Sequence, residues 1–134
     1  MVKLQKARSG TYRQRISVDA HEFFADVDES VGGENSAPDP HDLLDSSLAA
    51  CTAITLSMYA KRRGMSLEGI NIDIERDNSK EKNGEYNLVL NIHFVGSLND
   101  EHKQQLLGII EKCPIHKLLS HATINISTQY QPQE

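Results

Sequence analysis

Cysteine is scarce in this chain, with two among 134 residues. A domain of this length buries roughly two-thirds of the surface its unfolded chain exposes. It therefore needs neither disulfides nor a metal to fold. The two thiols are either inert and buried or the working parts of a dithiol/disulfide cycle. Positive charge is also in deficit, with 14 basic against 19 acidic residues and a net charge of −5. That argues against a nucleic-acid partner, which would be met by a basic face. No uninterrupted apolar run reaches the roughly 18 residues of a transmembrane helix, so no membrane association is expected. The first residues, Met1-Val2-Lys3-Leu4-Gln5-Lys6, contain no apolar core of a signal peptide. The expected location is the cytoplasm, where disulfides are usually transient and catalytic. No internal repeat or low-complexity segment is visible, and the whole chain, 1–134, reads as one domain.

The hydrophobic pattern predicts an α+β protein. Val2 to Ala7, Arg13 to Val18 and His21 to Val27 read as strands, with Ile16 and Val18 on one face and Arg13 and Arg15 on the other. Val31 to Pro40 is a Gly/Asn/Ser/Pro loop without packing capacity. A long helix is predicted over about Pro40 to Arg63, with Asp39 as N-cap, Pro40 in the first turn and Gly64 as the stop. Leu44, Leu48, Cys51, Thr55 and Met58 fall on one stripe of it. The helix is apolar over much of its circumference and calls for cover on more than one side. Ile70, Ile72 and Ile74, then Leu88, Leu90, Ile92 and Phe94, alternate at period two and predict a hairpin with a long polar turn. A second helix should run from about Ser97 to Lys112, a short third from Pro114 to about Ser120, and a last strand from Ala122 to Tyr130.

The chemistry-bearing candidates are the cysteines. A thiolate, not a thiol, is the nucleophile, and at a reference pKa near 8.5 only roughly 3% is ionised at pH 7. Cys113 opens Cys113-Pro114-Ile115-His116-Lys117. With Pro114 at the first helical position, Cys113 is an N-cap, where free N–H groups favour a thiolate. Lys112, His116 and Lys117 add cationic or protonatable neighbours. Cys51 lies more than two turns into its helix and has no such local device. Read from its surroundings alone it is either a small core residue or a nucleophile activated by a distant cation. Arg13 and Arg15 are the candidate cations, with Arg8 third.

Two segments carry a resemblance. Pro40-His41-Asp42-Leu43-Leu44 followed by Leu48-Ala49-Ala50-Cys51-Thr52-Ala53, together with Cys113-Pro114-Ile115-His116-Lys117, resembles the paired cysteine motifs of the OsmC/Ohr family of osmotically inducible and organic hydroperoxide resistance proteins. Gly32-Gly33 and Met58-Tyr59-Ala60-Lys61-Arg62 are similar to a general branch of it. The resemblance implies an intertwined homodimer with long central helices packed between wrapping antiparallel sheets, and active sites at the subunit interface. It implies that Cys51 attacks an organic hydroperoxide and that Cys113 resolves the sulfenic acid as a disulfide. An external dithiol would then reduce that disulfide, with no cofactor. An arginine and a carboxylate would orient the thiolate. Arg13 is the first choice for the arginine and Arg15 the second. Where the hydroperoxide-resistance branch has a glutamate, this chain has His41, and a carboxylate follows one step later at Asp42. On a straight helix Asp42 lies about half a turn from Cys51, so the departure bears on activity. His116 and His41 could support the site from behind.

Two rival readings come from other classes. A redox-responsive or small-ligand-binding dimer would keep both thiols with little turnover. A metal site could use Cys51, Cys113 and His116, although the flanks lack a paired C-x-x-C.

Overall fold

The N-terminal alternation becomes a sheet. In the computed structural model, which describes residues 1–132, β1 (Val2–Lys6), β2 (Gln14–Val18) and β3 (His21–Ala25) pair antiparallel in the order β1-β2-β3. The register sets Leu4 and Phe23 on either side of Ile16, so one face carries the apolar side chains.

The loop after β3, whose composition offers no packing capacity, is fastened by hydrogen bonds. The buried Asp26 carboxylate accepts hydrogen bonds from the Ser36 hydroxyl at 2.6 Å, the Ser36 N–H at 3.0 Å and the Val27 N–H at 2.8 Å. Its own N–H donates to the Pro38 carbonyl at 3.1 Å. Gly33 passes so close to Val27 that a Cβ there would lie 2.1 Å from the Val27 carbonyl oxygen. A polar loop of Ser, Asn and Gly thus packs through hydrogen bonds to one buried acid, which hydrophobic patterning does not register.

α1 (Pro40–Arg62) begins and ends where the sequence places its signals. Asp39 accepts from the Asp42 N–H at 2.8 Å, and Asp42 accepts from the Asp39 N–H at 3.1 Å. This reciprocal capping box satisfies two donors that the first turn would otherwise leave bare. At the far end Gly64 takes φ +66°. The Met65 N–H then reaches the Ala60 carbonyl and the Gly64 N–H the Lys61 carbonyl, which is the Schellman closure.

β4 (Leu67–Asp77) and β5 (Asn87–Gly96) form a two-stranded antiparallel sheet. α2 (Asp100–Leu107) is capped by Asn99, whose side chain accepts from the His102 N–H. The helix predicted to reach Lys112 stops at Gly108 and tightens into a 3-10 turn, Ile110–Lys112. Gly is a poor helix former, and the change leaves Ile109 buried. α3 (Pro114–His121) follows. The strand predicted over 122–130 is absent: this segment has no regular structure, and Ile124, Ile126 and Tyr130 are exposed. Period-two alternation supplies strand propensity, but a strand needs an edge to pair with.

The chain's contacts divide into two compact units, Met1–Ala50 with Ile72–Asn91, and Cys51–Asn71 with Ile92–Glu134. In the second, Leu56, Ala60, Met65, Leu106 and Ile109 form the core, flanked by Tyr59, Leu67, Ile70, Phe94, Leu98 and Ile110.

The buried stripe of α1 differs from the predicted one. Asp45, Leu48, Thr52, Leu56 and Ala60 are buried, whereas Leu44, Ile54 and Met58 are exposed. Apolar and small residues run round most of the helix, so the sequence gives its inward face no clear direction. By length and composition α1 could also cross a membrane, with an 18-residue window of mean hydropathy 1.3. Ser and Thr interrupt that window, which is why no continuous apolar run was evident. The core helix of a soluble protein passes the same test, and α1 supplies Leu56 and Ala60 to the core.

Candidate functional site

Both cysteines belong to the second compact unit. Both are free thiols: Cys51 is partly exposed and Cys113 fully buried. Cys113 holds the N-cap of α3 with extended backbone (φ −57°, ψ 124°), and Pro114 stands at the first helical position. Its carbonyl accepts the Lys117 N–H at 3.1 Å, which starts the helix. The side chain closes no cap hydrogen bond of full geometry. From α1, the side chains of Cys51 and Thr52 lie on the side of the Cys113 sulfur, but neither makes a hydrogen bond of full geometry to it. Thr52 is completely buried, and its hydroxyl makes no hydrogen bond of full geometry.

Burial by itself pushes the Cys113 thiol up. The Cys51 side chain, the His116 N–H, the Thr52 hydroxyl and the Ile115 N–H outweigh it and hold the group below its ordinary value. The His116 ring points to Ser120, with Nδ1 3.4 Å from the hydroxyl. Among the described residues no three His, Cys, Asp or Glu side chains cluster closely enough to hold a metal ion.

The candidate arginines Arg8, Arg13 and Arg15 and the carboxylate Asp42 fall in the first unit. Arg13 donates from Nη1 to the Ser36 carbonyl at 2.7 Å and to the Ser36 hydroxyl at 2.9 Å. Its guanidinium lies over the Phe24 ring, 4.1 Å from the centroid. Arg15 stands between Gln5 and Phe24 in the sheet register. Arg8 is paired with Glu34 at 2.7 Å. Asp42 meets none of these three. Its partner is Arg76 of β4, with Oδ1 3.1 Å from Nη2. His41 pairs with Glu81 at 2.5 Å and stacks on Tyr86.

Arg76 is the residue that sequence reading passed over. Its Nη1 lies 3.1 Å from Asp45 Oδ2, and Tyr86 donates its hydroxyl to Asp45 Oδ1 at 2.6 Å. The contact with Tyr86, then Asp42 and Asp45, raises the guanidinium above its ordinary value against the opposing effect of burial. Burial first, then Asp45, raises Tyr86 in turn, against the lowering effect of Arg76. The signal was present: Arg76 continues the Ile70, Ile72, Ile74 alternation, and Tyr86 precedes the Leu88, Leu90 one. A charged residue at an inward strand position needs a buried partner, and Asp45, on the inward stripe of α1, is that partner. Asp42, Asp45, Ser46, Ala49, Ile72, Ile74 and Arg76 line an open cleft of about 390 Å³.

Residues 33–129 match the family described as OsmC-like protein, and the chain belongs to that family. Solved structures share the fold. An OsmC-like protein from Mycoplasma pneumoniae superposes with a TM-score of 0.72 at 16% identity, covering 90% of this chain and 86% of that one. An organic hydroperoxide resistance protein OsmC from Legionella pneumophila gives 0.63 at 22% identity, covering 90% and 88%. The organic hydroperoxide resistance protein OhrB of Bacillus subtilis gives 0.60 at 21% identity, covering 90% and 91%. No curated protein matches the chain.

Proposed function

We propose that this protein acts in peroxide defence as a thiol peroxidase that reduces organic hydroperoxides through a Cys51–Cys113 dithiol/disulfide cycle. The observation that carries the reading is a pair of free thiols in one compact unit, Cys51 partly exposed and Cys113 buried, with the Cys51 side chain lowering the Cys113 thiol. Membership of the OsmC-like family and the hydroperoxide-resistance titles of two fold relatives support it. Cys51 sulfur attacks the distal peroxide oxygen, the O–O bond breaks, and an alcohol leaves. The resulting Cys51 sulfenic acid is attacked by Cys113, which forms the disulfide and releases water. An external dithiol restores both thiols, so a reducing compartment such as the cytoplasm fits the cycle.

Arg13 carries over as the guanidinium that stabilises negative charge on the departing oxygen. Within the first unit its guanidinium stacks on Phe24 and donates to Ser36. The sequence leaves open whether Asp42 orients the thiolate; its ion-pair partner is Arg76. A homodimer accounts for the uncovered stripe of α1, where Leu44, Ile54 and Met58 are exposed. The test is peroxide turnover with a dithiol reductant. Cys51→Ser should abolish it, and Cys51→Ser at full rate would end this reading.

The cleft beside Arg76 favours one second reading, a small-ligand-binding protein with little turnover. Native mass spectrometry of the purified protein tests it. A stoichiometric small molecule retained by the wild type and lost with Arg76→Ala, alongside negligible peroxide consumption, would support it.

A further inference from the structure

Arg8 and Arg76 are neutralised within the first unit, and Arg13 is not. Arg8 meets both oxygens of Glu34 at 2.7 Å, and Arg76 meets Asp42 and Asp45 at 3.1 Å. Arg13 pairs with no carboxylate among the described residues. It is held all the same. Nη1 donates to the Ser36 carbonyl at 2.7 Å and to the Ser36 hydroxyl at 2.9 Å, and the guanidinium lies over Phe24. A guanidinium fixed by neutral acceptors and a ring keeps its whole charge for an outside anion. These bonds occupy Nη1 alone, so the Nε–Nη2 edge remains as the fork that matches anionic oxygens.

Asp26 explains how a neutral serine can hold a cation. A carboxylate has no proton to give, so the Ser36 hydroxyl directs its one proton to Asp26 Oδ2, at 2.6 Å. The hydroxyl lone pairs are then left for Arg13 Nη1. The Ser36 N–H donates to the same carboxylate oxygen at 3.0 Å. Both acceptors that Arg13 uses thus belong to a residue anchored twice on one buried acid. The two loops are tied on either side of this chain of bonds. Arg8 grips Glu34, and Tyr12 packs on Gly32, where a Cβ would lie 3.3 Å from the ring.

We propose that Ser36 and Asp26 are positioning residues for Arg13, which hold its guanidinium in one orientation and leave its charge free for the anionic oxygen that forms as a peroxide O–O bond breaks. The identity of that oxygen rests on the peroxidase reading, whereas the hold on Arg13 rests on geometry. Asp26 makes no ion pair with Arg13 and acts through Ser36. No bond is made or broken at either positioning residue, and neither gives up a proton.

A double-mutant cycle tests the action through Arg13, with tert-butyl hydroperoxide as substrate and dithiothreitol as reductant. Ser36→Ala removes the hydroxyl and keeps the backbone N–H bonds to Asp26. It should lower kcat/KM about tenfold, the loss of one hydrogen bond to a charged group, with native circular dichroism. Ser36→Thr should restore most of the rate. In an Arg13→Ala background Ser36→Ala should cost nothing further, because the hold has no guanidinium to act on. Full turnover in Ser36→Ala would overturn the proposal. An equal loss in both backgrounds would do the same, since it marks damage to the loop at large.

A second readout needs no turnover. Side-chain nitrogen NMR should show the two Nη groups of Arg13 as separate signals in the wild type, identified by their loss in Arg13→Ala. Ser36→Ala and Asp26→Asn should merge them through faster rotation, and Ser36→Thr should keep them apart. Signals unmoved by either variant would refute the hold. Should Asp26→Asn not fold, Ser36→Ala decides. A wild type that consumes no peroxide, with the signals merging as expected, would sink the peroxidase reading while the hold on Arg13 stood. Wild-type turnover kept in full by Arg13→Ala would instead end the catalytic role of Arg13 and, with it, this assignment.

Discussion

Asp42 of α1 and Arg76 of β4 form an ion pair at 3.1 Å, while Asp42 also closes the capping box with Asp39. Arg76 simultaneously holds Asp45, and Asp45 takes the Tyr86 hydroxyl. The two carboxylates are not equivalent. The Asp42 side chain is 49% exposed and that of Asp45 12%. Solvent screens the first pair, so Asp42→Asn should cost about 0–1 kcal/mol. Asp45→Asn leaves a half-buried guanidinium and a phenol short of their partner and should cost about 1–3 kcal/mol. Tyr86→Phe should cost about 1 kcal/mol. Urea denaturation checks the ranking, and equal losses for Asp42→Asn and Asp45→Asn would contradict it.

Asp26 gives stability a defined acid limb. Hydrogen bonds from the Ser36 hydroxyl first, then from the Ser36 and Val27 N–H groups, lower its pKa from 3.8 to about 2. The folded value lies below the unfolded one. The contribution to stability is therefore complete above about pH 4 and is lost as pH falls toward about 2. Asp28 and Asp77 are lowered as well, each chiefly by a serine hydroxyl. Asp26→Asn should thus flatten the fall in melting temperature between pH 4 and pH 2 without abolishing it. A wild-type slope retained in full by Asp26→Asn would show that another group carries the effect.

Close approach at Gly33 leads to a contrast with Gly64. A methyl at Gly33 meets the Val27 carbonyl oxygen, whereas a methyl at Gly64 meets nothing within 4 Å and strains only a φ of +66°. Gly64→Ala should cost about 1 kcal/mol. Gly33→Ala should cost about 1–3 kcal/mol or more, because the backbone must shift. Chemical denaturation of the two variants measures the difference, and the reverse order would contradict the packing described.

The two faces of α1 should respond differently to substitution. Leu56 is fully buried, and Leu56→Ala should destabilise by about 2–5 kcal/mol. Ile54 is 59% exposed, and on the proposed dimer its face is covered by a second chain. Ile54→Arg should then leave circular dichroism native while sedimentation reports a monomer. Unchanged sedimentation of Ile54→Arg would remove that stripe from the interface.

Element types were largely legible because local signals and hydrophobic period agreed. The ends of α1 follow from Asp39, Pro40 and Gly64, and Pro114 marks the start of α3. The inward face of α1 was not legible, because Leu44, Ile54 and Met58 are as apolar as Leu48 and Leu56. The Ala122–Tyr130 strand failed because propensity does not supply a pairing edge. At the candidate site, the two cysteines and the N-cap of Cys113 could be read directly. Arg76 and Asp26 could not, since each depends on partners distant in sequence: Asp45 and Tyr86 for the first, Ser36 for the second. A charge standing on an inward strand position, as Arg76 does, is the one trace such an arrangement leaves in sequence.

The most direct measurement is the thiol state of the reduced protein after one equivalent of tert-butyl hydroperoxide, with hydrogen peroxide in parallel, read by mass spectrometry. The expected result is rapid loss of two hydrogens, with Cys51 and Cys113 joined in the digest and the organic peroxide reacting faster. Thiols unchanged over many minutes with both oxidants would contradict a peroxidase and leave ligand binding as the function to pursue.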